Sequence, residues 1–272
     1  MGLIRCHFFS EVFQTHTDIT VTMPEAAINV GYEALRHKRV LYPVIYILHG
    51  GAEESTMWMR MSRIEEYSKR FGFISVSING MSSAYSDMVH GYKIFTFLTT
   101  ELPKFIEGVF PASPCREDRY IAGFSMGGQG ALKAAFRCPE KYAAAMPLCG
   151  ARDIVSLFQK WESMENGPDL TAVRDALGPI SELRGSNSDL VFLAHQAAKY
   201  DGCKPRLLVA CALNDYAAEL TEQYHQMLDE IGIEHTYYQA PGIHDYYFVD
   251  RALLWALTNW LHLAAQPKIE EV

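Results

Sequence analysis

The chain has 272 residues, of which 49% are hydrophobic and 21% are charged, and its net charge is −8. This length suits one large α/β domain and is short for two, so we expect a single domain over residues 1–272. An acidic chain without a cluster of lysines and arginines is a poor ligand for a phosphate backbone, which argues against a nucleic-acid partner. No segment approaches the length of a membrane span, so we expect no membrane partner either.

The N-terminus and the cysteines bear on location. The stretch from Met1 to His7 lacks the basic start and apolar core of a secretory signal peptide. The six cysteines are scattered without a C-x-x-C pair. We therefore expect reduced thiols and a cytoplasmic protein, and the sequence leaves a homo-oligomer open.

Strands alternate with helices along the chain. Residues 4–24 alternate apolar and polar side chains, which predicts two antiparallel strands, and a polar connection follows over residues 25–39. Apolar, β-branched runs predict further strands near residues 43–48, 73–78, 119–122, 142–148, 206–212 and 235–239. Helical patterns fall near residues 57–70, 92–109, 219–231 and 246–263, and a polar loop covers 79–90. This alternation predicts an α/β fold, with a mostly parallel sheet covered by helices on both faces.

Residues 151–204 interrupt the alternation. Phe158, Trp161 and Met164 recur at helical spacing, and several glycine-containing turns follow. We interpret the segment as a helical cap inserted after the carboxyl end of a strand, where it would lie over the mouth of a site. The alternative is an ordinary crossover with a long loop.

Gly123-Phe124-Ser125-Met126-Gly127 fits the nucleophile elbow G-x-S-x-G. An apolar strand precedes it and a helix rich in small residues follows it, which is the context that the motif requires. The sharp turn would expose the Ser125 hydroxyl at the edge of the sheet. A serine is inert at neutral pH unless a histidine takes its proton and an acid orients that histidine, so partners must lie downstream.

Asp215 and His244 supply those partners in the order serine, acid, histidine. Asp215 follows the strand predicted over residues 206–212, and His244 lies on a glycine-proline loop after the last predicted strand. Alone, Asp215 would be interpreted as a helix N-cap and His244 as a surface histidine. Together with Ser125, they predict a catalytic triad. We expect activity to rise with pH between about 5 and 8, because the histidine must be neutral to act as base.

His49-Gly50-Gly51 follows a central strand and predicts the remaining machinery. Acyl transfer needs two backbone N–H groups directed at the developing oxyanion, one of them from the residue after the nucleophile. We assign these donors to Met126 and Gly51, with Gly50 as the alternative to Gly51.

The chain resembles the putative esterase (esterase D-like) family of α/β-hydrolases, and is most similar to its tributyrin esterase-like members. The resemblance extends over nearly the whole chain and is carried by residues 46–51, Trp58, residues 122–128, 211–216 and 242–247. It implies carboxyl-ester chemistry in an α/β-hydrolase fold. It also implies that Trp58 lines the site, although core packing would explain a tryptophan there equally well. Phe124, Trp161 and Phe158 are further candidates for contacts with substrate.

We therefore predict a serine carboxylesterase for short-chain acyl esters, from acetyl to butyryl, that needs no metal or organic cofactor. The resemblance leaves two narrower activities open: a feruloyl or acetyl-xylan-type esterase acting on plant-wall oligosaccharides, and an S-formylglutathione hydrolase-like thioesterase. A catalytically silent α/β-hydrolase scaffold is the non-enzymatic alternative. The retention of serine, acid, histidine and the glycine turn argues against it.

Overall fold

A mixed β-sheet, eight-stranded over the described residues, organises the molecule. The coordinates are a computed structural model that describes residues 2–24, 38–263 and 268–271. The strands are β1 (Gly2–Ser10), β2 (Thr15–Met23), β3 (Lys38–Leu41), β4 (Val44–Leu48), β5 (Ile74–Ile78), β6 (Arg119–Phe124), β7 (Ala144–Leu148), β8 (Arg206–Ala212), β9 (Thr236–Ala240) and β10 (Lys268–Glu271).

The helices of the described residues connect these strands. They are α1 (Met57–Met61), α2 (Ile64–Phe71), α3 (Ile94–Thr96, continuing through a π-helical segment Phe97–Glu101 into Leu102–Val109), α4 (Met126–Arg137), α5 (Ile154–Glu162), α6 (Thr171–Leu177), α7 (Leu190–Ala198), α8 (Ala218–Glu230) and α9 (Tyr246–Asn259). Short 3₁₀ turns occupy Arg116–Asp118, Pro139–Lys141 and Ile180–Glu182.

The strand order is β1-β2-β5-β4-β6-β7-β8-β9, and β3 pairs separately with β10. β1 and β2 are antiparallel, as the sequence predicted, while β5, β4, β6, β7, β8 and β9 run parallel to one another. Parallel strands end at the same edge of a sheet, so the loops after β4, β6, β8 and β9 meet there. The α/β fold class predicted from the sequence is confirmed.

The strands at the centre are apolar on both faces because helices cover both. In β4, Val44, Tyr46 and Leu48 belong to one buried cluster, and Ile45 and Ile47 belong to the cluster on the opposite face. A strand buried on both sides reads as a continuous apolar run rather than an alternating one. This explains why the run at residues 43–48 predicted its strand so well.

Two predicted helices differ from the simple pattern. The helix predicted over residues 57–70 is broken at Ser62, whose extended backbone ends α1 and whose hydroxyl accepts a hydrogen bond from Ile64 N–H at the start of α2. In α3, Pro103 has no N–H to donate to the carbonyl of Thr99, and Lys141 Nζ donates to that carbonyl instead at 2.8 Å. The π-helical segment lies at this point.

The polar connection predicted over residues 25–39 falls outside the described residues up to residue 37, and Lys38 already belongs to β3. Within the part of the chain that the structure describes, no helix combines the length and apolar character needed to cross a bilayer.

The segment between β7 and β8 packs in two different ways. α5, α6 and the turn after α6 share a small apolar cluster of their own, formed by Ile154, Val155, Leu157, Phe158, Leu170, Ile180 and Leu183. α7 instead places Leu190, Leu193 and Ala194 in the large cluster that covers one face of the sheet. Residues 151–204 therefore contain a separate packing unit at their start and a sheet-covering helix at their end.

Candidate active site

Ser125 connects β6 to α4 in a strained backbone conformation, with φ 52° and ψ −112°. A positive φ is costly for a residue with a Cβ and persists only when the surroundings enforce it. Here Ser125 N–H donates to Leu148 O on the neighbouring strand at 2.9 Å. The turn holds the hydroxyl at the carboxyl edge of the sheet, which is the geometry of a nucleophile elbow.

Two glycines make this turn possible. A Cβ on Gly123 would lie 2.1 Å from Gly127 O, and a Cβ on Gly127 would lie 2.2 Å from Leu48 O. Real side chains do not approach a carbonyl oxygen this closely, and the oxygens belong to backbone that cannot swing away. Gly123 is therefore required because the first turn of α4 folds back against β6, and Gly127 is required by the close approach of α4 to β4.

The structure brings Ser125, His244 and Asp215 into one hydrogen-bonded chain. His244 Nε2 lies 2.9 Å from Ser125 Oγ, and His244 Nδ1 lies 2.6 Å from Asp215 Oδ2. With Nδ1 donating to the carboxylate, Nε2 is the nitrogen that accepts the serine proton. The three residues come from loops after β6, β8 and β9, so the shared edge of parallel strands assembles them.

The environment keeps Asp215 ionised. Its side chain is fully buried, and burial alone would raise its pKa. Hydrogen bonds from His244 and from Ala217 N–H, the latter at 2.8 Å, outweigh this effect, so the net pKa lies below the ordinary value. A buried carboxylate held in this way can stabilise the imidazolium that forms when His244 takes a proton.

The turn after β4 presents an unengaged backbone donor beside the serine. Gly50 N–H donates to Glu53 Oε2 at 2.7 Å and is therefore already engaged. No described group accepts a hydrogen bond from Gly51 N–H, and Gly51 lines the pocket beside Ser125 and Met126. Met126 is the first residue of α4, where the backbone N–H has no partner inside the helix. Gly51 and Met126 thus offer two N–H groups next to the serine.

The buried His49 side chain holds this turn through hydrogen bonds at both of its ring nitrogens. Its Nδ1 lies 2.7 Å from Gly50 O, and its Nε2 lies 2.8 Å from Gly80 N. A backbone N–H can only donate, so Nε2 accepts and Nδ1 carries the proton that binds Gly50 O. Burial lowers the pKa of His49, which favours this neutral form even though the nearby Gly50 carbonyl and two glutamates oppose the shift.

Glu53 ties the glycine turn to the histidine loop. Its Oε2 accepts from Gly50 N–H and also from Tyr246 Oη at 2.7 Å. Tyr246 begins α9, two residues after His244, and its ring packs against Phe124 at a centroid distance of 4.9 Å. The glycine turn after β4 and the loop that carries His244 are therefore connected through one shared carboxylate.

A cavity of about 270 Å³ opens beside Ser125. Gly51, Met126 and Gln129 line it on the side of the sheet, and Tyr216 and Arg152 line it on the side of the β7 and β8 loops. α5 and α6 form an apolar wall from Ile154, Leu157, Phe158, Trp161, Ala172, Val173, Ala176 and Leu177. The cavity is thus an apolar chamber with the serine at its edge.

The candidate substrate contacts fall in different places. Trp161 and Phe158 line the cavity, while Trp58 is fully buried in the core, where its Nε1 donates to Leu48 O at 3.0 Å. The expectation that Trp58 lines the site does not agree with this position. Phe124 is also buried and packs its ring against His244 at 4.8 Å, so it supports the histidine rather than facing the cavity.

Sequence reasoning missed three residues of the site. Arg152 and Gln129 are buried at the cavity wall, and the exposed ring of Tyr216 lies 4.6 Å from that of His244. The available signal was position: Arg152 and Tyr216 follow the carboxyl ends of β7 and β8, where parallel strands place their functional groups.

Among the residues that the structure describes, two groups of side chains carry atoms that metals bind, and neither needs a metal to account for its geometry. Cys149 lies near Asp215 and His244, whose 2.6 Å separation is that of a hydrogen bond. Away from the site, His225 and His235 lie beside Asp229, and the two rings also meet at hydrogen-bond distance, 2.7 Å. The expectation of metal-independent chemistry remains a prediction.

A larger cavity of about 580 Å³ lies at the opposite edge of the sheet, near the amino ends of β8 and β9. It is lined by residues such as Arg206, His235 and Trp260 and by none of the predicted catalytic residues. The smaller cavity is therefore the candidate active site, because Ser125 lines it.

Comparison with known proteins relates this chain to esterases. A model of the family described as "Putative esterase" matches residues 32–248. The chain is similar to an acetyl esterase of Caldicellulosiruptor saccharolyticus, with 26% identity over 96% of this chain and 98% of that protein.

Solved structures give the same picture. The fluorophosphonate-binding serine hydrolase FphF of Staphylococcus aureus aligns with a TM-score of 0.85 and 26% identity, over 96% of this chain and 98% of that one. The S-formylglutathione hydrolase FrmB of the same organism aligns with a TM-score of 0.82 and 26% identity over the same shares.

Proposed function

The chain belongs to the putative esterase family, and from that premise we propose that it hydrolyses short-chain carboxylic esters through Ser125, His244 and Asp215. It is a carboxylic ester hydrolase of the serine type, and its substrate is a small-molecule ester. The observation that carries the proposed mechanism is the unbroken chain of contacts from Ser125 Oγ to His244 and on to Asp215, at 2.9 Å and 2.6 Å.

In the first half of the proposed reaction, Ser125 Oγ attacks the ester carbonyl carbon while His244 Nε2 takes the hydroxyl proton. The carbonyl oxygen becomes an oxyanion, and the N–H groups of Gly51 and Met126 donate to it. His244 then gives its proton to the leaving alcohol, which departs and leaves an acyl-enzyme. In the second half, water repeats the attack with His244 again as base, and the acid is released.

Two features support a preference for short acyl groups. The cavity beside Ser125 measures about 270 Å³ and its wall on the α5 and α6 side is apolar, which suits a small hydrophobic group. A relative similar over nearly its whole length is named an acetyl esterase. We propose that α5 and α6 act as a cap that shapes this chamber.

A thioester is the second candidate substrate class. The similar structure named S-formylglutathione hydrolase supports it, because attack by serine and protonation of the leaving group follow the same steps for a thiol as for an alcohol.

We further infer a cytoplasmic location, since all six cysteines are free thiols.

Hydrolysis of p-nitrophenyl acetate, butyrate and octanoate, together with methyl ferulate, tests the proposal on wild type and on Ser125→Ala. We expect wild type to favour acetate and butyrate, and Ser125→Ala to lose activity by at least about four orders of magnitude. Fluorophosphonate should label wild type and leave the variant unlabelled.

The outcomes separate the alternatives. Fast turnover of methyl ferulate would make the protein a cinnamoyl esterase, and activity confined to thioesters would favour the second candidate. If both proteins are equally slow on every ester and neither is labelled, the catalytic assignment of Ser125 is wrong.

A further inference from the structure

Arg152 is a buried cation at the wall of the active-site cavity. It lies four residues beyond the end of β7, is 1% exposed, and borders the same chamber as Ser125. Its guanidinium carbon lies 5.5 Å from the centroid of the Tyr216 ring, which covers it on one side. The proposed mechanism gives this residue no role.

The donors of Arg152 are mostly unused. Nη2 donates to Cys149 O at 2.8 Å, whereas Nε and Nη1 are buried and make no hydrogen bond. No carboxylate among the described residues forms an ion pair with it. A buried guanidinium without a counter-charge is costly, and a ligand that brings an anionic acceptor to it would offset that cost.

The rest of the chamber sharpens this point. Of the described residues that line the cavity, Arg152 is the one with a charged side chain. Gln129, which is 7% exposed, also lines it and makes no side-chain hydrogen bond to a described group. An apolar chamber with one cation and one free amide is suited to a ligand with a hydrophobic body and a single anionic end.

We propose that Arg152 binds a carboxylate of the substrate, so that the preferred substrates are esters carrying a free carboxyl group. This inference rests on the proposed function, because the ester must reach Ser125 while its carboxylate reaches Arg152. A guanidinium binds a carboxylate through charge-assisted hydrogen bonds, in a chamber where apolar walls exclude competing water. The carboxylate belongs either to the acyl part or to the alcohol part of the ester.

Two matched pairs of alkyl esters test the proposal and locate the carboxylate. In the first pair, monoethyl succinate carries the carboxylate on its acyl part and is compared with the neutral ester ethyl butyrate. In the second pair, 4-acetoxybutanoate carries the carboxylate on its alcohol part and is compared with the neutral ester n-butyl acetate. Alkyl esters are used because aryl esters of succinate hydrolyse by attack of their own carboxylate. The value of kcat/KM is measured for each ester by pH-stat titration.

We expect wild type to prefer the charged member of at least one pair. Arg152→Gln should lower kcat/KM for that charged ester by about 10- to 100-fold, the value of a hydrogen bond to a charged group, and change the neutral ester by less than about 3-fold. Arg184→Gln is the matched control, because it removes the same charge from the same inter-strand segment at a residue that does not line the cavity. It should leave the ratio of charged to neutral ester unchanged.

A measurement on wild type alone guards against a variant that does not fold. Succinate should inhibit hydrolysis of ethyl butyrate competitively, with an inhibition constant at least about 10-fold lower than that of succinamide. The proposal is overturned if wild type hydrolyses neutral esters but disfavours both charged ones and succinate inhibits no better than succinamide. Failure to hydrolyse any ester, with no fluorophosphonate labelling of Ser125, would instead overturn the proposed function.

Discussion

The two parts of the molecule that surround the cavity are built very differently. The carboxyl edge of the sheet is backed by two large apolar clusters, one on each face, and it holds the serine, histidine and aspartate at hydrogen-bond distances. α5 and α6 share only a small cluster. That cluster is fastened by polar links such as Arg184 to Asp153 at 2.8 Å.

This difference in packing assigns the reaction chemistry to the sheet edge and substrate selectivity to α5 and α6. Close-packed interiors tolerate little displacement, so the sheet keeps the reacting atoms in place. A small cluster with exposed ion pairs contributes little stability and can change sequence without disturbing the catalytic edge. Substrate choice is therefore expected to depend on α5 and α6, and the mechanism is expected to depend on the loops at the carboxyl edge of the sheet.

The largest effect should come from Asp215→Asn, which removes the carboxylate that orients His244 and leaves both parts of the molecule folded. An asparagine favours the wrong tautomer of His244 and cannot stabilise the imidazolium, so kcat should fall by about 10⁴-fold. Asp245→Asn is the control, because Asp245 caps α9 by accepting from Phe248 N–H at 2.9 Å, a bond that an asparagine retains. Comparable losses in both variants would argue against a special role for Asp215.

Gly123→Ala should disrupt the packed carboxyl edge of the sheet by forcing the elbow open. The new Cβ would lie 2.1 Å from Gly127 O, so we expect the free energy of unfolding to drop by about 3 kcal/mol or more in urea denaturation. Gly108→Ala serves as the control, since a Cβ there meets nothing within 4 Å on the helix surface of α3. It should be neutral or stabilise by up to about 1 kcal/mol.

Lys133→Met tests a buried cation in the packed interior behind the elbow. Lys133 lies on α4, donates to Ala84 O at 2.8 Å and to Ser86 Oγ, and is fully buried; burial lowers its pKa to about 7. The unfolded chain therefore binds more protons than the folded one between about pH 7 and pH 10.5, and wild-type stability should rise with pH across that window.

The methionine variant lacks this titration. Its stability relative to wild type should be greatest below about pH 7 and should decline by up to about 1.4 kcal/mol per pH unit above it, as followed by urea denaturation from pH 6 to pH 10. The lost hydrogen bonds to Ala84 and Ser86 lower the variant's stability by a similar amount at every pH. A constant difference between the two proteins over this range would show that Lys133 stays charged.

The smallest effect should come from Arg184→Ala, which removes contacts to α5 and to Asp189, the residue that caps α7. Arg184 pairs with Asp153 and with Asp189 but is 42% exposed, so solvent screens both pairs. We expect KM for short esters to rise by about 3-fold, with kcat and the free energy of unfolding changed little, the latter by less than about 1 kcal/mol. A large loss of global stability would mean that the two parts of the molecule unfold together.

Local sequence patterns were enough to predict the strands and the chain order of Ser125, Asp215 and His244. The apolar runs that became β4, β6 and β8 are buried on both faces, and such runs have few alternatives to a central strand. The G-x-S-x-G motif occurs in nucleophile elbows between a strand and a helix, so it predicts that local structure. The placement of Asp215 and His244 follows from the connection rules of parallel sheets.

Other features depend on contacts between residues far apart in the chain, which no local pattern contains. Gly50 and Gly51 have the same sequence neighbourhood, and only Glu53, held by Tyr246 almost 200 positions away, engages one N–H and leaves the other. The sequence left Trp58 between the site and the core, and the structure buries it in the core, where its Nε1 donates to Leu48 O. Arg152 resembles any surface arginine in sequence, and only packing buries it at the cavity.

The fold class, the nucleophile elbow and the chain order of serine, acid and histidine can be predicted from the sequence, because periodicity, glycine requirements and strand connections are local or topological. Packing alone establishes that the Gly51 N–H is unengaged, which aromatic residues face the cavity and where an unpaired cation lies. Those properties are set by burial and by partners distant in the chain, and both exist only once the sheet and its helices have packed.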